Sequence, residues 1–411
     1  MRYKVITAAI LLSINSTNIL KSQITDSPYT LFGAGQIEDN GFGANKAMGG
    51  TGMAFQSGRY LNNLNPASYS GIDSLSFLFE MGVFSKYTRY ETNNTVQTKL
   101  DGNIRYIAMG FRITPWWANS TGVVPYSSVG YTIHSTKSIE GELTGYKITY
   151  NGSGGINQFY SGNSIKINKN ISAGINASYI FGSITQTETA GGAYNFNGYS
   201  VQNTKYFNNF YFDYGLQFSL YNNDWKYTLG IVYGNSKKLK TSNRISFNYA
   251  EDTVDLGSSE FDFHLPRKYG FGIGVEKSRR YRGGFDFERK YWSVIKFSNP
   301  LLNTRNSERY SMGMEYTHKP DYKHFGLAGI TYRAGAYYKK SYLVIDDTPI
   351  NSGAITFGAG IPLKRDLSII NLSLELGENG TLENGLIKEN YWLVHFNITL
   401  HDLWFQKPKY D

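Results

Sequence analysis

Few residues in this chain are spaced for covalent chemistry. It has six histidines and no cysteines, which excludes disulfides, thiolate metal sites, a cysteine nucleophile and a lipoprotein anchor. His318 and His324 share one expected turn with Asp321 between them, a pair that could hold a metal. Exposed turn histidines are usually solvated, and that is the expectation here. His395 falls on the inward side of an expected strand, with no partner identifiable. Serines are abundant, so chance His/Ser pairings are expected. No Gly-x-Ser-x-Gly, phosphate loop or metal-spaced cluster stands out. Glu251, Asp252, Asp255, Glu260 and Asp262 crowd oxygen ligands of the kind calcium takes, without the regular Asp-x-Asp-x-Asp-Gly spacing. A solvated acidic loop is the expectation there. Neither an enzyme nor a cofactor is expected. What remains is a set of charges within alternating stretches: Glu80, Asp213, Asp286, Glu288, Arg333 and Glu375. They would form an inward polar network, because the outward side of such strands cannot carry charge cheaply if it meets lipid.

The elements that must position those charges are strands. Leu75, Phe77, Phe79, Met81 and Val83 alternate with Ser74, Ser76, Leu78, Glu80 and Gly82. The same period of two recurs at Phe210–Phe218, Tyr227–Tyr233, Tyr269–Val275, Ile370–Leu376 and Trp392–Leu400. The first run is too long for an ordinary soluble strand of ~5–6 residues. It fits a tilted membrane strand with one face to lipid and one to a lumen. About 14 such segments are expected, near 73–92, 102–114, 128–143, 154–167, 171–189, 205–221, 226–240, 265–277, 282–294, 309–318, 325–343, 352–362, 368–378 and 387–402. Alternate connections are short, Pro115–Ser127 excepted, and the opposite set is mostly long (190–204, 241–264, 295–308). That asymmetry belongs to transmembrane barrels. Trp116, Trp117, Trp225, Trp292, Trp392 and Trp404 lie near strand ends, where an interfacial girdle sits. The expected fold is all-β, a transmembrane antiparallel barrel of about 14 strands.

Composition agrees. The 34 Tyr, 25 Phe and 44 Gly suit aromatic strands with many turns. A mean hydropathy of −0.38 rules out a helical membrane protein but not a barrel. The net charge is +9, three of it from Arg2, Lys4 and Lys21 at the N-terminus. The basic residues are scattered and form no block, so contact with anionic lipid head groups is expected, and no nucleic acid. Residues 1–22 read as a signal peptide, with a basic start and an apolar Val5–Ile14 run too short to span a bilayer. Residues 23–72 break the period of two. Clustered Gly49, Gly50 and Gly52 are followed by Asn65, Pro66 and Ala67, residue types suited to compact folding against another surface. This segment is expected to plug the barrel formed by 73–411, and those six residues to gate it.

The run Ala47-Met48-Gly49-Gly50-Thr51-Gly52-Met53-Ala54, then Asn65-Pro66-Ala67 ahead of the first strand, resembles the FadL-type outer-membrane transport family. Glu389-Asn390-Tyr391-Trp392, followed by Trp404-Phe405 and a short charged tail, resembles members from one group of Gram-negative bacteria. The sequence departs from the pattern at Phe55–Asn63. The resemblance implies a 14-stranded barrel with an N-terminal hatch, in a Gram-negative outer membrane. It further implies contact with lipid and lipopolysaccharide, and passive uptake of a hydrophobic ligand such as a long-chain fatty acid. Barrels with the same leader also serve as subunits of outer-membrane assembly or secretion machines, which would make other outer-membrane proteins its partners. The register of the last strand places Phe396 toward lipid and Asn397 toward the lumen, so Asn397→Arg should be far milder than Phe396→Arg.

Overall fold

A computed structural model describes residues 27–39, 41–137, 146–191, 198–249, 252–293, 302–318, 329–363 and 368–403. The expected signal peptide, Trp404, His324 and Asp321 lie outside them. After β1 (Gln36–Ile37), the strands run β2 (Ser76–Glu91), β3 (Val96–Thr114), β4 (Trp117–Lys137), β5 (Tyr146–Lys166), β6 (Ile171–Gly191) and β7 (Tyr199–Asn222). There follow β8 (Trp225–Gly234), β9 (Lys237–Tyr249), β10 (Asp252–Ser259), β11 (Phe263–Leu265), β12 (Arg267–Lys277) and β13 (Tyr281–Tyr291). The last are β14 (Leu302–Thr304), β15 (Ser307–Thr317), β16 (Thr331–Ile345), β17 (Thr348–Pro362), β18 (Ile369–Asn379) and β19 (Lys388–Leu403).

Joined in order, they make a closed antiparallel barrel of fourteen staves. β8 with β9 and β11 with β12 each form one interrupted stave, as do β14 with β15. β10 is a hairpin partner of β9, and β1 is added to β4 from the N-terminal segment. Closure is made by β19 on β2, in register from Lys388↔Glu91 to Leu403↔Ser76. An unclosed edge in lipid would strand backbone donors and acceptors at several kcal/mol each (roughly).

The alternation sets the two faces. Phe210, Phe212, Tyr214, Leu216 and Phe218 of β7 are exposed on the outside, while Asp213 and Gln217 between them are buried inside. Several expected boundaries are corrected. The segment set at 128–143 is β4, starting at Trp117 after a two-residue turn. Pro115–Ser127 is therefore no long connection. Pro125 reads as a breaker because it lacks an N–H, but it sits inside the strand, where β4 has already left β3. The 190–204 and 241–264 loops are shortened by β6, β7 and the β9–β10 hairpin. Where strands rise past the lipid both faces are wet, and the alternation that marks them fades.

Candidate functional site

The N-terminal segment lies inside the barrel. Its regular structure is minimal: 3-10 turns at Pro28–Leu31 and Pro66–Gly71, and one helical turn at Gly43–Lys46. Short turns satisfy part of its backbone internally, and many of the remaining groups pair with the wall. Gly49, at φ +65, donates its N–H to Thr356 Oγ1 (2.8 Å) and accepts from Arg309 Nη2 (2.6 Å). Gly50 also has positive φ and packs on the Arg309 guanidinium. Gly52 and Met53 donate to Asp286 Oδ2 at 2.7 and 2.9 Å. Asn65 caps the second 3-10 turn by accepting from the Ala67 N–H (3.0 Å), and its Nδ2 reaches Met53 O and Leu216 O. Pro66 abuts Gly215 and Gly174, and Ala67 O accepts from Ser164 Oγ (2.9 Å). A Cβ added at Gly335 of β16 would lie 2.2 Å from the Met48 carbonyl carbon. The wall is bare backbone there because the segment presses directly on it.

The inward charges pair locally, and Arg333 is linked onward through Asn371, Asn397 and Tyr106 to Glu80. Asp213 bonds Lys268 (2.7 Å), Glu288 bonds Lys290 (2.9 Å), and Arg333 bonds Glu315 (2.7 Å) and Asn371. Glu80 accepts from the Leu61 N–H, and Glu375 from the Tyr337 and Tyr391 hydroxyls. His395, expected without a partner, lies 3.7 Å from Glu375. Sequence reading missed the charges on the N-terminal segment itself. Asp39 meets Lys339 (2.8 Å) and Arg309 (3.6 Å). Burial alone would raise its carboxyl, but Lys339, Arg309 and Lys46 together hold it well below the usual carboxylate range. Lys46, buried and near Arg105, is pushed down to about 7 although Asp39 opposes the shift. Two small cavities flank this cluster, about 80 and 60 Å³ in volume, bordered by Lys86, Glu288, Arg309, Lys339, Arg105 and Glu375 among others. A larger cavity of about 650 Å³ lies beyond Thr30 and Leu31, lined by Val129, Ile184, Phe207, Phe261 and Phe263 with Lys205 and Asp262.

One seam in the wall differs from the rest. β3 and β4 pair from Thr114↔Trp117 only as far as Ile107↔Val123. That point is ~18 Å above the turn at 3.3 Å per residue and a tilt of ~40°. Beyond it β4, bulged between Pro125 and Ser127, turns its edge to the N-terminal segment. Ile37 and Gln36 pair with Ser127 and Ser128, the Glu38 N–H reaches Tyr126 O (3.0 Å), and the Ser27 N–H reaches Gly130 O (2.9 Å). Glu38 also spans the split: one carboxylate oxygen meets Arg105 of β3 (2.8 Å), and the other accepts from Ser128 Oγ (2.9 Å). The adjacent Glu38-Asp39 pair, the only such pair in residues 23–72, was the available sequence signal.

Other expectations are corrected. Trp116, Trp225 and Trp392 are exposed near strand ends, but Trp292 is fully buried and stacks on Tyr342 at 4.4 Å between ring centres. It is core, held by the segment-facing cluster above the lumen. Asp255 and Asp262 pair with Arg244 and Lys238 (2.5 Å each) instead of converging, and among the described residues no group of three metal-ligating side chains forms. The register of β19 is as expected, yet Asn397 is no open lumenal position. It donates to the Tyr106 hydroxyl (2.5 Å) and Met81 O, and accepts from Asn371 Nδ2 (2.8 Å). A Cβ at Gly43 would lie 2.6 Å from its side chain. The expectation that Asn397→Arg is mild therefore fails, because the N-terminal segment occupies the space an arginine needs.

Comparison with known proteins closes the picture. A protein-family model described as BamG matches residues 1–411. Among solved structures the chain is similar to the Pseudomonas putida toluene transporter TodX, at 15% identity and a TM-score of 0.60, over 90% of this chain and 100% of that one. It is likewise similar to the Ralstonia pickettii toluene transporter TbuX, at 13% identity and a TM-score of 0.58, over 88% and 99%. A Pseudomonas aeruginosa FadL homologue gives 13% and 0.59, over 90% and 100%. At these identities the likeness is one of fold. A search of the curated proteins gives no match.

Proposed function

The chain belongs to the BamG family, and from that premise we propose that it acts as a closed, non-transporting β-barrel subunit of an outer-membrane protein-assembly machine. The observation that carries this reading is the polarity of the space beside the N-terminal segment. The two flanking cavities are small and bordered by Lys86, Arg105, Arg309, Lys339 and Glu375. An apolar solute passing there would separate paired, buried charges, at several kcal/mol (roughly) for each pair broken. The segment itself is fixed to the wall through Gly49, Gly52 and Asn65. It serves as a plug. The barrel would reside in the outer membrane of a Gram-negative bacterium, against lipid and lipopolysaccharide, with other outer-membrane proteins as partners.

Purification from native membranes in mild detergent, followed by mass spectrometry, tests this. Stoichiometric outer-membrane partners are expected. A lone barrel carrying bound lipid would remove the reading. The plug role has its own test in planar bilayers, where deleting residues 41–70 should raise conductance. Unchanged conductance would refute it.

A second reading, uptake of hydrophobic small molecules, is favoured by the 650 Å³ cavity with its Val129, Ile184 and Phe207 lining. Saturable binding of toluene or a long-chain fatty acid, abolished by Phe207→Asp, would support it.

A further inference from the structure

We infer that the split between β3 and β4 is a docking site for one extended β-strand of a partner polypeptide, entered from the outer leaflet. The inference rests on the assembly reading and deepens it by naming the chemistry of the partner. Above Ile107, no described strand pairs with β3 on the side facing β4. At Arg105–Tyr106, ~20–23 Å above the turn, that side still lies within an apolar band ~25 Å tall, and Ile104 stands at its upper edge. Backbone N–H and C=O groups exposed to hydrocarbon must find partners in protein. The Ile104 N–H is met by the neighbouring Asn103 Oδ1 (2.8 Å), a local substitute for a strand partner.

The other lip shows what this seam accepts. The edge that β4 turned away from β3 already carries a guest strand, β1, in antiparallel register at Ser127 and Ser128. The cleft between the lips has a volume of about 480 Å³, with Asn103, Arg105 and Asn157 among the residues around it. On the outside, Ile104, Val123 and Phe159 are exposed. A guest must therefore be polar on the inward face and apolar on the outward one, with main-chain groups free along one edge. A membrane β-strand not yet closed into its own barrel has that chemistry. Hydrocarbon has the apolar face alone and leaves the edge unpaired. The Arg105–Glu38–Ser128 bridge closes the cleft from within when no guest is present.

The absence of native cysteines makes a direct test possible. Asn103→Cys, Ile104→Cys and, on the fully paired closing seam, Phe396→Cys are each reconstituted as the full chain in lipid vesicles. The probe is a synthetic twelve-residue peptide of alternating Leu/Phe and Ser/Thr with a single cysteine. Disulfide yield should be about tenfold higher at 103 and 104 than at 396, since a guest held by main-chain bonds persists where one merely dissolved in lipid does not. Moving the peptide cysteine by one residue should exchange the preference between 103 and 104, because neighbouring strand residues face opposite sides. Equal yields at all three sites, insensitivity to that shift, or loss of the signal to toluene or oleate at concentrations that leave the vesicles intact would overturn the inference. Recovery of a stoichiometric complex together with any of those results would leave the assembly reading standing and remove strand docking alone.

Discussion

The two seams of this barrel invert what chain connectivity suggests. β19 and β2 are joined by no turn and lie at opposite ends of the array, yet they pair along their whole length from Lys388↔Glu91 to Leu403↔Ser76. β3 and β4 are sequence neighbours joined through Pro115-Trp116, yet they part beyond Ile107↔Val123. Proximity in sequence lowers the entropic cost of pairing but does not dictate it. What decides is whether another partner offers the same backbone groups a better arrangement. At the closing seam there is none. At the split seam the N-terminal segment supplies Gln36–Glu38 to β4, and Glu38 links the two lips with a side chain in place of a ladder.

The largest test of this contrast lies at the closing seam. Asn397→Arg should lower the stability of the inserted barrel by about 3–5 kcal/mol, from lost buried hydrogen bonds plus overpacking. Tyr106 and Asn371 would each lose one buried hydrogen bond, Tyr106 keeping the Gly43 N–H and Asn371 the Arg333 guanidinium, and the new side chain would meet Gly43. Phe396→Arg, one residue along and facing lipid, should lose about 2–4 kcal/mol near the midplane. Denaturant midpoints of both variants refolded into vesicles give the comparison. A mild Asn397→Arg would mean that the segment does not press on this seam.

The next effect concerns the segment where it approaches both seams. Lys46 is buried on the helical turn that packs against β17, β18 and β19, and Arg105 of the split seam adds to its lowered pKa of about 7. The folded chain thus binds fewer protons than the unfolded chain between pH 7 and the ordinary lysine value of ~10.4. Stability must then rise with pH through that window, by up to about 1.4 kcal/mol per unit. Asp39 has the opposite assignment: its pKa is depressed. Its contribution is fully present above the unfolded value of ~3.9, and it is lost only as pH falls through the lower folded value. Hydrogen exchange at Ala44–Met48 should therefore slow from pH 7 to 8 after correction for intrinsic rates, and Lys46→Met should remove that change. An unaltered pH dependence in Lys46→Met would assign it to another group.

Glu38→Ala addresses the link at the split seam alone. It should accelerate amide exchange at Ile37 and Glu38 by about tenfold, equivalent to ~1.4 kcal/mol of local opening, with the global denaturant midpoint nearly unmoved. A matching fall in the midpoint would make Glu38 part of the core instead of a closure.

How much of this was legible in sequence differs between the seams. The closing seam could be read directly: period-two alternation at Trp392–Leu400 and Phe77–Val83 gave the faces, the need to close the barrel paired the two ends, and charges such as Asp213 and Arg333 fell inside because the outward face meets lipid. Gly49, Gly52, Asn65 and Pro66 announced a segment that packs on a wall. The split seam could not be read, because alternation reports which face a side chain takes, not which edge its backbone pairs with. Arg105 sits at a bulge between Tyr106 and Ile104 in the β2–β3 ladder, and Pro125 beside one in β4–β5. A bulge interrupts the only pattern available. Asn397 was assigned the right direction and the wrong consequence, since direction says nothing of what already fills the lumen.

The smallest expected effect separates the seams by the same chemical change. Ile104 is exposed on the outer side of β3, as Phe396 is on β19, so composition alone would treat the two arginine substitutions alike. Ile104 lies ten residues above the turn at Thr114, ~25 Å along the barrel axis, where a lipid-facing arginine costs only about 0–1 kcal/mol. Asn103, Arg105 and the cleft beside them offer that guanidinium polar company which the continuous β19–β2 ladder does not. Ile104→Arg should therefore leave the denaturant midpoint within experimental scatter of the parent while Phe396→Arg lowers it clearly. It should also suppress peptide cross-linking through Asn103→Cys, because a cation at the lip opposes entry of an apolar face. A loss for Ile104→Arg as large as that for Phe396→Arg would place the upper half of β3 in continuous contact with hydrocarbon, and the contrast between the two seams would not survive it.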